Sequence, residues 1–285
     1  MTPAPITIRE LLDLMLDRYD GVLLDVYGVL LDARGPLPGA FELLEELERR
    51  KLPFAIVTND ASRSPATYAT RFSSYGLGIA GLAERVVTSG SLIAGYFASH
   101  ALAGAHTLVL GTADSIEFVR AAGGVPVPIA AGCELDALVV CDDDGFDFLH
   151  GIECALSAVV RAVEGGRRPH LILPNPDLVY PKAPGELGLT AGSIALVIEA
   201  ALARRFPSQS LEFARLGKPE PHLFHAAARR LGIAPDRLVM IGDQLETDIA
   251  GARAAGIDAA LLTGAISRWH DAATIVPTWL LESLQ

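Results

Sequence analysis

Four segments of the chain place polar, chemically capable residues directly after a short aliphatic run. The first is Gly21-Val22-Leu23-Leu24, which is followed by Asp25. The other three segments carry Thr58-Asn59, Gly217-Lys218, and Gly242-Asp243 with Asp248 just beyond. Short aliphatic runs closed by turn residues are typical of buried parallel strands. Open α/β sheets bind ligands beyond the carboxyl ends of their strands, so we predict that these segments build one reaction centre.

Asp25 is the candidate nucleophile of this centre. A carboxylate can attack a phosphoryl group and form an aspartyl-phosphate, which divides a slow hydrolysis into two easier steps. Thr58 and Asn59 would offer a hydroxyl and a backbone N–H to the phosphoryl oxygens, and Lys218 would neutralise charge on nucleophile and phosphate. Each residue also has an ordinary structural interpretation, such as a helix cap or a solvated lysine, but the ordered set favours chemistry.

A magnesium site is predicted at the same place. Asp25 and Asp243 would share one Mg²⁺, with the backbone carbonyl of Tyr27 as a third protein oxygen. Mg²⁺ prefers a few carboxylates together with waters and phosphate oxygens, which fits this sparse set. Asp248 stands five positions after Asp243, and we expect it to orient the waters of the metal or Lys218 rather than to bind the ion.

Composition limits the remaining function classes. The chain has 285 residues, of which 51% are hydrophobic, enough for a sizeable core. Its start lacks the basic and apolar regions of a signal peptide, and its three cysteines form no CxxC pair, so we expect a cytoplasmic protein. The net charge of −11 disfavours binding to nucleic acid or to anionic membranes.

Strand-like and helix-like segments alternate along the chain, which predicts an α/β fold with a parallel sheet. Between residues 86 and 170 the strand ends lack Asp, Thr or Lys in the earlier combination. We therefore predict a core formed by 1–85 and 171–285, with 86–170 as a separate inserted α/β unit.

The four motifs resemble those of the haloacid dehalogenase superfamily. Asp25-Val26-Tyr27-Gly28-Val29 is similar to its first motif, Thr58-Asn59 to the second, Lys218 to the third, and residues 242–248 to the fourth. Further similarity points to the nitrophenylphosphatase-like branch, type IIA. This resemblance implies a Rossmann-like three-layer core with an inserted α/β cap, and Mg²⁺-dependent hydrolysis of a small phosphorylated metabolite such as a sugar phosphate or nucleotide. Caps of this branch often pair, so a homodimer is also open.

The same resemblance extends to candidate substrate-binding residues. The cap loop that contains Asp142 and Asp144 faces the core in the resembled branch, although an acidic turn would explain it as well. Asn175 and Asp177 follow the middle unit in a pattern similar to that of the branch. Lys182 lies in the proline-containing segment 181–185, which we predict to be a stiff loop, and it could approach a ligand or face water.

Tyr27 departs from the pattern of the family. Its phosphatases carry a second aspartate at this position, which protonates the leaving group and then activates water. An unperturbed tyrosine titrates near pH 10 and is a poor base near neutrality. The substitution leaves open a slow or specialised phosphatase, a catalytically silent phosphate-binding relative, or a dehalogenase. The dehalogenases need no magnesium, whereas Asp243 and Asp248 keep the metal-site pattern, so we place the phosphatase first.

Overall fold

The structure is a computed structural model and describes residues 4–14, 17–32, 34–183, 186–263, 269–270 and 273–285. It is an α/β fold with two main sheets, as predicted. The strands are β1 (Ala4–Pro5), β2 (Gly21–Leu24), β3 (Leu31–Asp32), β4 (Gly35–Pro36), β5 (Phe54–Thr58), β6 (Val86–Thr88), β7 (His106–Leu110), β8 (Val125–Val127), β9 (Ala137–Val140), β10 (His170–Leu173), β11 (Val179–Ala183), β12 (Glu186–Leu189), β13 (Ala214–Arg215), β14 (Leu238–Gly242), β15 (Asp258–Leu262) and β16 (Trp279–Leu281).

The helices alternate with these strands. They are α1 (Ile8–Leu14), α2 (Ala40–Arg50), α3 (Pro65–Ser74), α4 (Ile93–Ser99), α5 (Ala113–Ala121), α6 (Phe148–Glu164), α7 (Ala191–Arg205), α8 (His222–Leu231) and α9 (Ala250–Ala254). Three short 3₁₀ helices, Ala83–Arg85, Ser89–Leu92 and Pro235–Arg237, and one π-helical turn, Leu245–Ile249, complete the set. Across the described parts of the chain, no helix has the length and apolar character needed to cross a membrane.

The chain divides into two compact units. The first comprises residues 1–58, 65–87 and 218–285, and the second comprises 59–64 and 88–217. The sequence indicated an inserted segment of 86–170, whereas the second unit extends to Gly217, because β10 and β13 pair in the second sheet. These strands are as aliphatic as those of the first sheet, so their composition alone does not assign them to either.

The first unit holds a seven-stranded sheet of order β1-β16-β15-β14-β2-β5-β6. Parallel pairing joins its strands from β1 to β5. Every residue of β2, β5 and β14 is buried, as expected for parallel strands covered on both faces. Helix α2 contributes Leu43, Leu44 and Leu47 to this core from one face, the spacing of an amphipathic helix.

The second unit holds a five-stranded parallel sheet of order β13-β10-β9-β7-β8. Its core includes Leu138, Val159 and Ile198, from β9, α6 and α7. A two-stranded antiparallel hairpin, β11–β12, precedes α7. The prediction of a loop at 181–185 is therefore wrong for Pro181 to Ala183, which form the end of β11, while Pro184 and Gly185 lie outside the described residues.

Candidate active site

Asp25 lies directly beyond the carboxyl end of β2, between β14 and β5. Its backbone N–H donates to the carbonyl oxygen of Ile241 at 3.0 Å, which continues the pairing of the sheet. The residue is 4% exposed. Because the three strands are parallel, Thr58 at the end of β5 and Asp243 directly after β14 reach the same edge of the sheet.

Lys218 ties two of the acidic residues together. Its Nζ donates to Oδ1 of Asp25 at 2.7 Å and to Oδ1 of Asp248 at 2.6 Å. The lysine is buried. Burial disfavours the ammonium form, but the two carboxylates outweigh it and raise the pKa of Lys218. The side chain is therefore a fixed positive charge in contact with the candidate nucleophile.

Asp243 is fully buried, and neither of its side-chain oxygens has a hydrogen-bond partner among the described residues. Burial, together with repulsion from Asp248 and Asp25, raises the pKa of Asp243 to about 9. Burial and the charge of Asp248 also raise the pKa of Asp25, to about 7. Ligating atoms of these three aspartates all lie within 4.8 Å of one another, so the cluster has more negative charge than Lys218 alone balances.

A divalent cation fits this donor set. An unpaired buried carboxylate is costly, and hard oxygen donors of this kind are those that Mg²⁺ prefers. Gly28 opens the space beside it, because its φ is +87° and a Cβ at this position would lie 2.1 Å from Oδ2 of Asp243. The residues present are therefore compatible with a cation at Asp25 and Asp243.

Asp248 is held differently from Asp243. Its Oδ1 accepts from Lys218, and its Oδ2 accepts from the backbone N–H groups of Asp243 at 3.2 Å and Gln244 at 3.1 Å. The π-helical turn 245–249 presents the side chain to this loop, and a Cβ on Gly242 would lie 2.3 Å from that of Asp248. With both oxygens in hydrogen bonds, Asp248 fixes the loop and Lys218 in position.

Tyr27 directs its side chain to helix α3. Its hydroxyl oxygen accepts a hydrogen bond from Nη1 of Arg71 at 2.7 Å, and its backbone forms an isolated bridge with Leu31. The predicted role of the Tyr27 carbonyl as a metal ligand stays a prediction.

Within the second unit, three of the candidate residues form one hydrogen-bonded set. Asn59 is buried and donates from Nδ2 to Oδ1 of Asp177 at 3.0 Å. The backbone N–H of Asp177 in turn donates to Oδ1 of Asn175 at 3.1 Å. The backbone carbonyl of Asn59 accepts from the hydroxyl of Ser89 at 2.6 Å. Asn59, the residue after Thr58, is thus anchored by contacts that the sequence did not indicate.

The other three candidates are less constrained. Asp142 follows β9 and is half-buried, and burial raises its pKa to about 7, with the neighbouring carboxyls of Asp143 and Asp60 adding to the effect. Asp144 is exposed and accepts from the backbone N–H of the next residue at 2.7 Å. Lys182 is exposed on β11.

Two residues of these networks were missed by the sequence interpretation. Asp60 accepts from the backbone N–H and hydroxyl of Ser62 and pairs with Arg63 at 2.8 Å; its position directly after Thr58-Asn59 was an available signal. Arg71 had no such signal, because its contact with Tyr27 joins residues 44 positions apart.

Two family models match the chain. The haloacid dehalogenase-like hydrolase model covers residues 22–124, and a HAD-hydrolase-like model covers residues 215–285. The first match contains Asp25, Thr58 and Asn59, and the second contains Lys218 and Asp243.

Similar proteins extend the match over nearly the whole chain. Chronophin from Homo sapiens is 30% identical and covers 95% of this chain and 92% of its own length. Dihydroxyacetone phosphatase from Corynebacterium glutamicum (strain R) is 28% identical and covers 86% of this chain and 81% of its own. A crystal structure of a possible sugar phosphatase of the HAD superfamily from Cytophaga hutchinsonii has a TM-score of 0.84 at 30% identity, covering 99% of this chain and 98% of that one.

Proposed function

The chain belongs to the haloacid dehalogenase-like hydrolases, and we propose that it is a magnesium-dependent phosphatase acting on a small phosphate monoester. The resemblance drawn from its four motifs is confirmed, and the chain is a hydrolase. The observation that carries the proposal is the pairing of Asp25 with Lys218 at 2.7 Å beside the unpartnered carboxylate of Asp243.

In this proposal Asp25 attacks the phosphorus atom. A bond forms between its carboxylate oxygen and phosphorus, the ester P–O bond breaks, and the alcohol leaves with a proton taken from the site or solvent. Water then attacks the aspartyl-phosphate, releasing inorganic phosphate and restoring the carboxylate. Lys218 keeps Asp25 ionised and placed for attack, and Thr58 with the backbone of Asn59 binds phosphoryl oxygens.

Magnesium has a limited part in this proposal. Asp25, Asp243 and the Tyr27 carbonyl would hold it. When bound, the ion neutralises the carboxylates and the phosphoryl oxygens, which otherwise repel each other. Asp248 keeps Lys218 and the loop of Asp243 in position around it.

The substrate class follows from the relatives and stays a proposal. One relative is named for dihydroxyacetone phosphate and a structural neighbour for a sugar phosphate, so small phosphorylated metabolites are the first compounds to test. We also propose that the second unit serves as a substrate-selecting cap, with Asn175, Asp177, Lys182, Asp142 and Asp144 as binding residues. A cytoplasmic location and a homodimer remain predictions.

The test is a phosphate-release screen over small monoesters, with and without Mg²⁺. Wild-type protein should release phosphate only when the metal is present, and Asp25→Asn should abolish release. Asp17→Asn is the matched control, because Asp17 is exposed. Release that persists in Asp25→Asn would contradict the nucleophile assignment.

A silent phosphate-binding protein is the second candidate, favoured by Tyr27 at the position of the general acid. Such a protein would bind inorganic phosphate with Mg²⁺ in calorimetry but release none from any monoester.

A further inference from the structure

Arg71 on α3 is held by two tyrosines. Its Nη1 donates to the hydroxyl of Tyr27 at 2.7 Å. The guanidinium carbon lies 5.7 Å from the ring centroid of Tyr27 and 6.0 Å from that of Tyr75. Such distances are those of cation–π contacts. The half-buried side chain is therefore fixed in place by groups that carry no formal charge.

The charge of Arg71 is not balanced by a carboxylate among the described residues; its electrostatic partners there are Tyr27 and Tyr75. Arginines nearby in the sequence differ: Arg63 pairs with Asp60, and Arg49 with Glu46. A guanidinium is always charged and carries five N–H donors in a planar fork that matches carboxylate or phosphate. Arg71 thus keeps capacity to bind an anion.

The position of Arg71 relates this capacity to the reaction centre. Tyr27 stands two residues after Asp25, and the next residue, Gly28, touches the carboxylate of Asp243. One tyrosine side chain therefore connects the first motif to the guanidinium. A small substrate whose phosphoryl group lies at Asp25 has its other end within the range of such a spacing.

The identity of residue 27 matters for the same reason. A carboxylate there could pair with the guanidinium and cancel its charge, in competition with a ligand. A phenol instead fixes the guanidinium through its oxygen and leaves the positive charge intact. The tyrosine that removes the usual acid of the family thereby preserves an anion-binding group.

We propose that Arg71, held by the hydroxyl of Tyr27, binds a second anionic group of the substrate and makes the enzyme selective for phosphorylated acids or bisphosphates. The group recognised is an anionic oxygen pair of a carboxylate or a further phosphate. This inference rests on the proposed function, because that function places the first phosphoryl group at Asp25.

The experiment compares matched substrates with Mg²⁺ present. Glycerol 3-phosphate has no second anion, 3-phosphoglycerate adds a carboxylate, and 2,3-bisphosphoglycerate adds a phosphate as well. Since a hydrogen bond to a charged group contributes about 1.5–3 kcal/mol, wild type should favour one or both anionic compounds by roughly 10–100-fold in kcat/KM. The arm with the larger preference identifies the anion.

Four variants test the cause of that preference. Arg71→Gln should bring the ratio close to one by raising KM for the anionic substrates, while kcat/KM for glycerol 3-phosphate stays within about twofold. Arg71→Lys should retain part of the preference, and Tyr27→Phe should weaken it because the guanidinium loses its anchor. Arg49→Gln removes a surface arginine of α2 and should match wild type. Equal losses for all substrates in Arg71→Gln would show a purely structural role and overturn the inference, as would a wild-type ratio near one.

Binding separates this inference from the proposed function. Calorimetric titration of wild type and Arg71→Gln with 3-phosphoglycerate and glycerol 3-phosphate needs no turnover. Selective binding of 3-phosphoglycerate that Arg71→Gln removes would support the inference, even if no phosphate were released and the proposed function failed. Binding without selectivity, or no binding, would overturn it.

Discussion

Gly28 leaves Asp243 room that a side chain at position 28 would remove. A Cβ on Gly28 would lie 2.1 Å from Oδ2 of Asp243, closer than any real contact allows. The same glycine has a φ of +87°, a conformation that residues with a Cβ adopt at a cost. The carboxylate and the turn of the first motif are thus fitted to each other.

Gly28→Ala should disturb the metal site beyond its effect on stability. The left-handed backbone alone costs about 1–2 kcal/mol for a residue with a Cβ, and the clash must also displace Asp243. We expect Mg²⁺ affinity, measured by calorimetry, to fall at least tenfold.

Gly76→Ala provides the matched control. Gly76 also has a positive φ, of +98°, but nothing lies within 4 Å of its would-be Cβ. This variant should lose stability and keep its Mg²⁺ affinity. Equal Mg²⁺ affinity in both alanine variants would contradict the importance of the contact between Gly28 and Asp243.

Asp243→Asn should separate the cost of the acidic cluster from its use. In EDTA the variant should unfold at a higher temperature than wild type, because a buried carboxylate without a partner is replaced by a neutral amide. With Mg²⁺ at about 100 times Kd, wild type should gain about 2.7 kcal/mol of stability, whereas Asp243→Asn should gain none. Thermal unfolding in both conditions measures this. A metal-dependent shift that survives in the variant would refute the assignment of Asp243 as a ligand.

The strands that build the site could be predicted because each is a short aliphatic run that ends in a polar residue. The expected strand 238–241 is β14, which ends at Gly242, and the expected helix His222–Leu231 is α8 without change. Such elements depend on local composition and on a buried position in a parallel sheet.

Other features depend on tertiary contacts that sequence spacing does not reveal. Asn59 meets Asp177 across 118 positions. The hairpin β11–β12 was interpreted as a loop because its prolines hid the flanking β-forming residues, although a Pro-Gly turn between such residues is a hairpin signal. The sequence identified the four motifs, but it did not identify the partner of Tyr27.

Asp142 should make stability depend on pH in the second unit. Its pKa is raised from 3.8 to about 7, chiefly by burial, so the folded state binds its proton more tightly than the unfolded state does. This contribution to stability is present below about pH 4 and is lost as pH rises through 7. Asp142→Asn should therefore gain stability relative to wild type between pH 4 and pH 8.

The measurement is the urea midpoint at several pH values. Asp144→Asn is a control for the loss of one charge in the same loop, since Asp144 is exposed, and it should show no such trend. A difference between Asp142→Asn and wild type that is constant from pH 4 to pH 8 would contradict the prediction.

Tyr27→Asp should accelerate the enzyme if proton transfer is what the wild type lacks. Asp25 can still attack the phosphoryl group, but no carboxylate at position 27 activates water for the second step, so wild type should turn over slowly or accumulate an aspartyl-phosphate. Restoring that carboxylate should raise turnover by about 10²–10⁴-fold, the usual contribution of a positioned general acid or base. Glycerol 3-phosphate is the substrate of choice, because it has no second anion whose binding would suffer from the loss of the Tyr27–Arg71 hydrogen bond.

The outcomes of this substitution distinguish the three interpretations of Tyr27. A silent relative would release no phosphate in either form, since further parts of its site would also have changed. A dehalogenase would release halide from a 2-haloacid without magnesium, and Tyr27→Asp would not improve it. Tyr27→Phe controls for loss of the hydroxyl alone and should not raise turnover, because it adds no carboxylate. A wild type as fast as ordinary phosphatases of the family would mean that another group already supplies the proton, and the search for it would begin with acidic residues such as Asp60.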